Sequence, residues 1–315
     1  MNIREKLIDM ATNGESYEKL WNVYSDFIQN NGDTRFTVSY GSEGILTILD
    51  DMYPSSLRRL HKPPVVLFYK GNIELLSKSP KAAVVGTRRA TSYGIEVAEK
   101  IGYVLGSVGV PVISGLAKGI DVSAHRTSVN FRAAIAVLGN GIDVYYPYVN
   151  KNMQDLIGEK GLLLSEYSYG KRGTRWSYVA RNRIIAALSD LVVVVESPEK
   201  GGSIHTANFA LELGISVAAV PGDITRETSL GTNKLLADGA MVITKPSDVL
   251  DMIDISPQVY VDRKLIRILR NNGGIMNISD LRQYYDNTGD LIKEISYLEM
   301  KKVVILEGSV VRLIE

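Results

Sequence analysis

The chain has no cysteine and only three histidines in its 315 residues. No disulfide framework or thiolate chemistry is therefore available, which fits a reducing, cytoplasmic setting. His61, His125 and His205 are far apart and lack cysteine partners, so the sequence implies no metal site and no other cofactor. An excess of charge is missing as well: 36 Lys and Arg stand against 35 Asp and Glu, a net of +1, so any basic surface must be local. No apolar run approaches the roughly 18 residues that a membrane helix needs. The opening segment MNIREKLIDMATNGESYEKL carries acids and lacks the apolar region of a signal peptide. A soluble cytoplasmic protein with no membrane contact is expected. Two nucleotide fingerprints are also missing. There is no G-x-G-x-x-G after the first core strand and no G-x-x-x-x-G-K-[ST], which argues against a dinucleotide dehydrogenase and a P-loop ATPase.

Three regions read differently. Residues 1–50 form a short helical N-terminal region, with Ile3, Leu7, Met10, Leu20, Val23 and Phe27 as an apolar stripe before NNGD (30–33) breaks the pattern. Residues 51–255 form an extended Rossmann-like domain. Pro63-Pro64 leads into a strand over Val65–Tyr69, and from Lys81 short β-branched runs alternate with helical stretches, among them a helix through ARNRIIAALS (180–189). Strands alternating with helices of about 10–15 residues imply βαβ units, and uniformly apolar strands imply helices on both faces. The fold class is α/β, a doubly wound, mostly parallel sheet. Residues 256–315 read as a linker, SPQVYVDRKL, then helices over 261–271, 278–286 and 289–300. Strands over Val303–Leu306 and Val310–Ile314 follow, turning at Glu307-Gly308: a winged-helix-like module.

Ligands of open α/β sheets bind beyond the carboxyl ends of the strands, where helix N-termini present N–H groups. Here the strand ends carry Gly86-Thr87-Arg88-Arg89, Ser114-Gly115-Leu116-Ala117-Lys118-Gly119, Gly139-Asn140-Gly141, Gly201-Gly202-Ser203 and Pro221-Gly222-Asp223. Several such turns on one edge point to a phosphate-bearing ligand; tight βα turns alone are the blander account. Between Lys81 and Asp190 there are 14 Lys/Arg against 8 Asp/Glu. The densest part holds Lys171, Arg172, Arg175, Arg181 and Arg183, interleaved or flanked by Tyr167, Tyr169, Trp176 and Tyr178. Basic groups neutralise phosphates while aromatic faces stack on unpaired bases, a combination suited to single strands. A solvated basic loop over core aromatics is the alternative reading of that stretch.

No nucleophile is paired with a base, so no catalytic residue is assigned. Asp121 and His125 stand four apart on a helix start and can face one another; a structural hydrogen bond holding the Gly119 turn is the expected role. His205, in the first turn after Gly202, is either an anion contact or a plain helix-start residue. Glu212 reads as packing or an ion pair.

The ordered segments GTRRATSYG (86–94), SGLAKGIDVSAH (114–125), LGNGIDVYYP (138–147), LLLSEY (162–167), RNRIIAALSD (181–190), GGSIHTANFALELG (201–214) and GTNKLLADGA (231–240) resemble the DNA-processing protein A family, DprA or Smf. The approach segment YPSSLRRLHKPPVVLFYKG (53–71) and Val220-Pro221-Gly222 are similar too, so the resemblance runs in unbroken order from about Tyr53 to Ala240. It implies a bacterial cytoplasmic protein, usually a homodimer, that binds single-stranded DNA in natural transformation and helps load the RecA recombinase. It implies no chemical reaction. It also implies a DNA and phosphate site at Gly86, Thr87 and Arg88, with Arg88 the main phosphate ligand. The S-G-x-A-x-G-x-D turn at Ser114, Gly115, Ala117, Gly119 and Asp121, with Lys118 within it, then Arg181, Asn182 and Arg183, and finally Gly202, Ser203 and Thr206 complete that site. Where family members commonly carry Phe-Pro before R-N-R, this chain has Tyr178-Val179-Ala180.

Two other classes remain open at this point. A nucleoside-monophosphate phosphoribohydrolase shares a G-G turn leading into a helix, although Asn208 stands where its glutamate would be. A sensor of small nucleotides would use the same loops.

Overall fold

A computed structural model describes residues 1–32, 34–255, 264–285, 287–300 and 303–314. Asp33 of the expected break lies outside them. So do residues 256–263 of the expected linker and helix start, and Asp286 at the end of the helix expected over 278–286. The chain divides into two compact units, Met1–Ile253 and Asp254–Glu315.

The first unit is built on nine strands: β1 (Glu43–Thr47), β2 (Val66–Gly71), β3 (Ala82–Val85), β4 (Val112–Ser114), β5 (Ala134–Leu138), β6 (Leu162–Ser165), β7 (Leu191–Val194), β8 (Ser216–Ala219) and β9 (Met241–Val242). Their spatial order is β1-β2-β6-β5-β4-β3-β7-β8-β9. From β6 to β9 every pairing is parallel, while β2 runs antiparallel to β6 and β1 antiparallel to β2. The central parallel strands are buried along their length because helices cover both faces, as their unbroken apolar runs require.

Chain order reverses at β3. The strands run outward from β3 to β6, then cross back to place β7 on the other side of β3. Such a reversal opens a crevice at the carboxyl ends of the two strands, since their helices leave on opposite faces. The register Val85↔Val194 brings the turn after β3 level with the turn after β7.

The helix Ile3–Thr12 packs on β1 and β2, with Tyr17–Asn31 against it. The first begins in a reciprocal cap in which Asn2 and Glu5 each accept the other's backbone N–H at 2.9 Å. Its fully buried Leu7 enters the core, and the Arg4 guanidinium Nε lies 2.6 Å from the buried Asp50 carboxylate. Strand β1 is absent from the sequence reading: it is a five-residue edge strand beginning Glu43-Gly44, and it lacks the long apolar run of the central strands. The stretch 180–189, expected as one helix, instead contributes to two, Arg175–Ala180 and Asn182–Ala187, with Arg181 at their joint.

The second unit has the winged-helix-like content expected of it: helices Lys264–Asn271, Ile278–Leu281 and Thr288–Met300, with strands Val304–Glu307 and Val310–Leu313. A third strand, Ile275–Asn277, pairs antiparallel with Val310–Leu313. The hairpin turns at Gly308-Ser309, one residue later than expected, because Gly308 takes the left-handed conformation at φ +66°. Among the described residues no helix is long and apolar enough to cross a membrane.

Candidate nucleic-acid interface

Three turns converge at the crevice. After β3, the Thr87 N–H donates to the carbonyl of Glu196 beyond β7 at 2.7 Å, tying the two strand ends together. The next residue, Arg88, is exposed. After β4, Ser114 Oγ donates to the Val84 carbonyl at 2.6 Å. The Asp121 carboxylate then accepts from the N–H groups of Gly115 at 3.2 Å and Ala117 at 3.4 Å. Gly119 closes this turn at φ +79°, and a Cβ there would run into the Thr87 carbonyl, so only glycine fits. After β7, Gly202 opens the helix Gly202–Glu212, whose free N–H groups give the pocket a positive helix terminus.

Arg181 forms the floor. It is 4% exposed, and its Nη1 donates to the carbonyl of Gly115 at 2.8 Å and, through a shorter contact, to that of Val137. Burial pulls its guanidinium down to about 10, opposed by the charge of Asp121. Burial in turn pushes the Asp121 carboxyl up, and Arg181 pulls it back. Beside it, Asn182 Nδ2 donates to the Gly202 carbonyl at 3.1 Å, joining the Arg181 corner to the third turn. Ser203 Oγ donates to Ser197 Oγ at 2.8 Å, and Thr206 is buried one turn behind.

The resulting pocket, about 600 Å³, has Arg88, Arg89, Arg175, Arg181 and Lys200 in its lining. Asp121 is the one acid among its described lining residues, and its charge is already engaged by N–H groups and Arg181. The local field is therefore cationic despite the near-neutral chain. His205 also lines it.

Of the residues expected here, Gly86, Thr87, Arg88, Ala117, Arg181, Asn182, Gly202, Ser203 and Thr206 line this pocket. Gly115 and Lys118 line an adjoining cavity of about 310 Å³. Ser114 and Gly119 shape the turns from behind. Arg183 is not with them. Its guanidinium makes a two-point pair with Glu166 at 2.6 and 2.9 Å, donates to the Lys62 carbonyl at 3.2 Å, and lines a separate cavity of about 720 Å³. Helical residues two apart point about 200° away from one another, so Arg181 and Arg183 leave the backbone on opposite sides. The basic run is thus not one patch: Lys171 also lines the separate cavity, whereas Arg175 lines the pocket.

Asp121 and His125 do not bond to one another; of the two, Asp121 alone accepts the structural hydrogen bonds that hold the Gly119 turn. Asp121 directs a carboxylate oxygen to backbone N–H groups, and His125 is fully buried, its imidazole driven down to about 3 by burial and by the neighbouring Arg181. Sequence reasoning also passes over Tyr146. Its ring stacks on Tyr178 with centroids 4.9 Å apart and planes at 25°, while the Arg88 guanidinium lies 5.7 Å from the Tyr178 centroid. Tyr146 sits in the LGNGIDVYYP segment, but nothing in that run signals that its loop folds over the pocket.

The sequence model described as DNA recombination-mediator protein A matches residues 44–254. DNA processing protein DprA of Streptococcus pneumoniae is 45% identical over 205 residues, covering 65% of this chain and 72% of that protein. DprA of Bacillus subtilis is 38% identical over 220 residues, 69% of this chain and 74% of its own. The solved S. pneumoniae DprA aligns at a TM-score of 0.64 and 39% identity, over 74% of this chain and 80% of that one. DNA processing protein A of Helicobacter pylori, solved for its single-stranded DNA binding mode, aligns at 0.62 and 29%, over 68% and 97%.

Proposed function

The chain belongs to the DNA recombination-mediator protein A family, and we propose that it binds single-stranded DNA at the strand-end pocket. One observation carries this reading: cations and a stacked aromatic pair share a single crevice, with Arg88 over Tyr178 and Tyr178 against Tyr146. Cations alone would serve any polyanion. Exposed aromatic faces are useful only to bases that are not already stacked in a duplex. The H. pylori relative and its single-stranded DNA binding mode support the same ligand class.

In this reading Arg88 is the principal phosphate ligand. The turns at Gly86-Thr87 and Gly202-Ser203-Thr206 offer further donors to phosphate, as does Lys118 in the adjoining cavity. Arg181 and Asn182 hold these turns in register, with Ser114, Gly115, Ala117 and Gly119 shaping the backbone. The protein acts by binding rather than by catalysis. It works in the cytoplasm, as a homodimer, and passes the strand to the RecA recombinase during DNA uptake and recombination.

Fluorescence anisotropy with labelled oligo-dT, competed by unlabelled single strand, duplex and AMP, tests the reading. Tight, salt-sensitive binding displaced by single strands alone is expected. No binding at low salt, or release of adenine from AMP at enzymic rates, overturns it.

A further inference from the structure

The 600 Å³ pocket and the 310 Å³ cavity share one wall, because Arg88, Tyr146, Tyr178 and Arg181 line both. Tyr146 and Tyr178 lie in that wall, Tyr145 and Trp176 stand close to them in sequence, and the four differ in how far they are already engaged.

Tyr178 is engaged on several sides. Its ring carries Tyr146 and Arg88, its hydroxyl donates to Asn140 Oδ1 at 3.3 Å, and the Gly139 backbone lies so close that a Cβ there would meet the ring. Tyr145 is held elsewhere, by a 2.8 Å hydrogen bond to Asp155 and by the Lys151 ammonium over its ring. Trp176 is 80% exposed but lines neither cavity. Tyr146 lies on the shared wall, half-exposed, with the fixed Tyr178 ring behind it.

We propose that Tyr146 is the platform on which a base of the bound strand stacks. The wall it forms with Tyr178 and Arg88 then divides the site into two successive nucleotide subsites, the second served by Lys118. This rests on the single-stranded DNA reading above. A ring backed by another ring loses little freedom on stacking, and Arg88, on the shared wall, reaches a phosphate passing between the subsites. Both cavities fall within the roughly 300–1,000 Å³ typical of small-ligand sites. Tyr178 is then a positioning residue that fixes Tyr146 and Arg88.

The test compares the full chain on oligo-dT and on an abasic oligomer of equal length. Tyr146→Ala should weaken oligo-dT binding roughly 5- to 150-fold, the range for losing one base–aromatic stack, and leave abasic binding unchanged. Tyr146→Trp should restore oligo-dT binding, which also shows that the loop still folds. Trp176→Ala should leave binding of both oligomers unaffected. Lys118→Ala should reduce the magnitude of the salt slope on oligo-dT by about 0.7. Equal loss on both oligomers, no loss on oligo-dT, no recovery with Tyr146→Trp, or an equal loss with Trp176→Ala overturns the platform. An unchanged slope for Lys118→Ala overturns the second subsite. A wild-type chain that binds no single strand at low salt overturns the underlying reading, and the platform with it.

Discussion

The Arg181 guanidinium donates to the carbonyl of Gly115 at 2.8 Å across the floor of the pocket, in space that a Cβ on residue 115 would occupy. The same nitrogen also donates to the Val137 carbonyl, so one buried cation ties the end of β4 to β5. Two substitutions probe it. Gly115→Ala forces the guanidinium aside and should cost about 1–3 kcal/mol, the range for overpacking a tight site. Arg181→Met leaves the buried carbonyls of Gly115 and Val137 without their donor and should cost about 1–3 kcal/mol. Urea denaturation measures both; stability within error of wild type would show that the floor is not held this way.

Arg88 has a simpler setting. It is exposed in the turn that precedes the helix Ser92–Ser107, and its one described ring contact is Tyr178. Arg88→Ala should therefore leave stability within about 0.5 kcal/mol, as for other surface changes away from caps and cores. On single-stranded DNA it should weaken binding strongly and reduce the magnitude of the log K against log [salt] slope by about 0.7, one phosphate contact. An unchanged slope would remove Arg88 from the phosphate path.

Much of this architecture is legible in the sequence, and the exceptions have physical causes. The buried strands β3 to β8 announce themselves because helices on both faces demand unbroken apolar runs such as Ala82–Val85 and Leu191–Val194. Edge strand β1 and the strand Ile275–Asn277 mix apolar positions with glycine, acid or amide and so carry no unbroken apolar run. The glycine turns are legible because their backbone geometry restricts the residue type. Side-chain direction is not. Composition makes Arg181 and Arg183 equivalent, and only the helical turn between them sends one to the pocket floor and the other to Glu166. Tyr146 is hidden for a related reason, since its partner Tyr178 lies 32 positions away in sequence.

The Arg183–Glu166 pair should contribute to stability and not to DNA binding. Both side chains are 14% exposed, so removing one leaves a charge largely shielded from water. Arg183→Met should cost about 3 kcal/mol in urea denaturation, the lower end for breaking a buried pair. The salt slope on oligo-dT should stay at the wild-type value. A reduced slope with unchanged stability would return Arg183 to the phosphate site.

His125 makes stability depend on pH. Burial, with Arg181 adding to it, drives the folded imidazole down to about 3, whereas in the unfolded chain it titrates near its ordinary value of about 6.5. Below about 6.5 the unfolded chain takes up a proton that the folded chain refuses, so stability is lost as pH falls, and the loss continues until about pH 3. At pH 5 this group alone should cost about 2 kcal/mol relative to pH 7, from 1.36 kcal/mol per pH unit across the part of the window traversed. His125→Gln removes the titration while keeping a polar side chain. Its stability at pH 7 is expected to fall, but the difference between its pH 7 and pH 5 stabilities should be smaller than that of wild type by about the same 2 kcal/mol. Equal pH dependence in the two proteins would mean that the folded imidazole accepts a proton as readily as the unfolded one, contrary to its full burial beside Arg181.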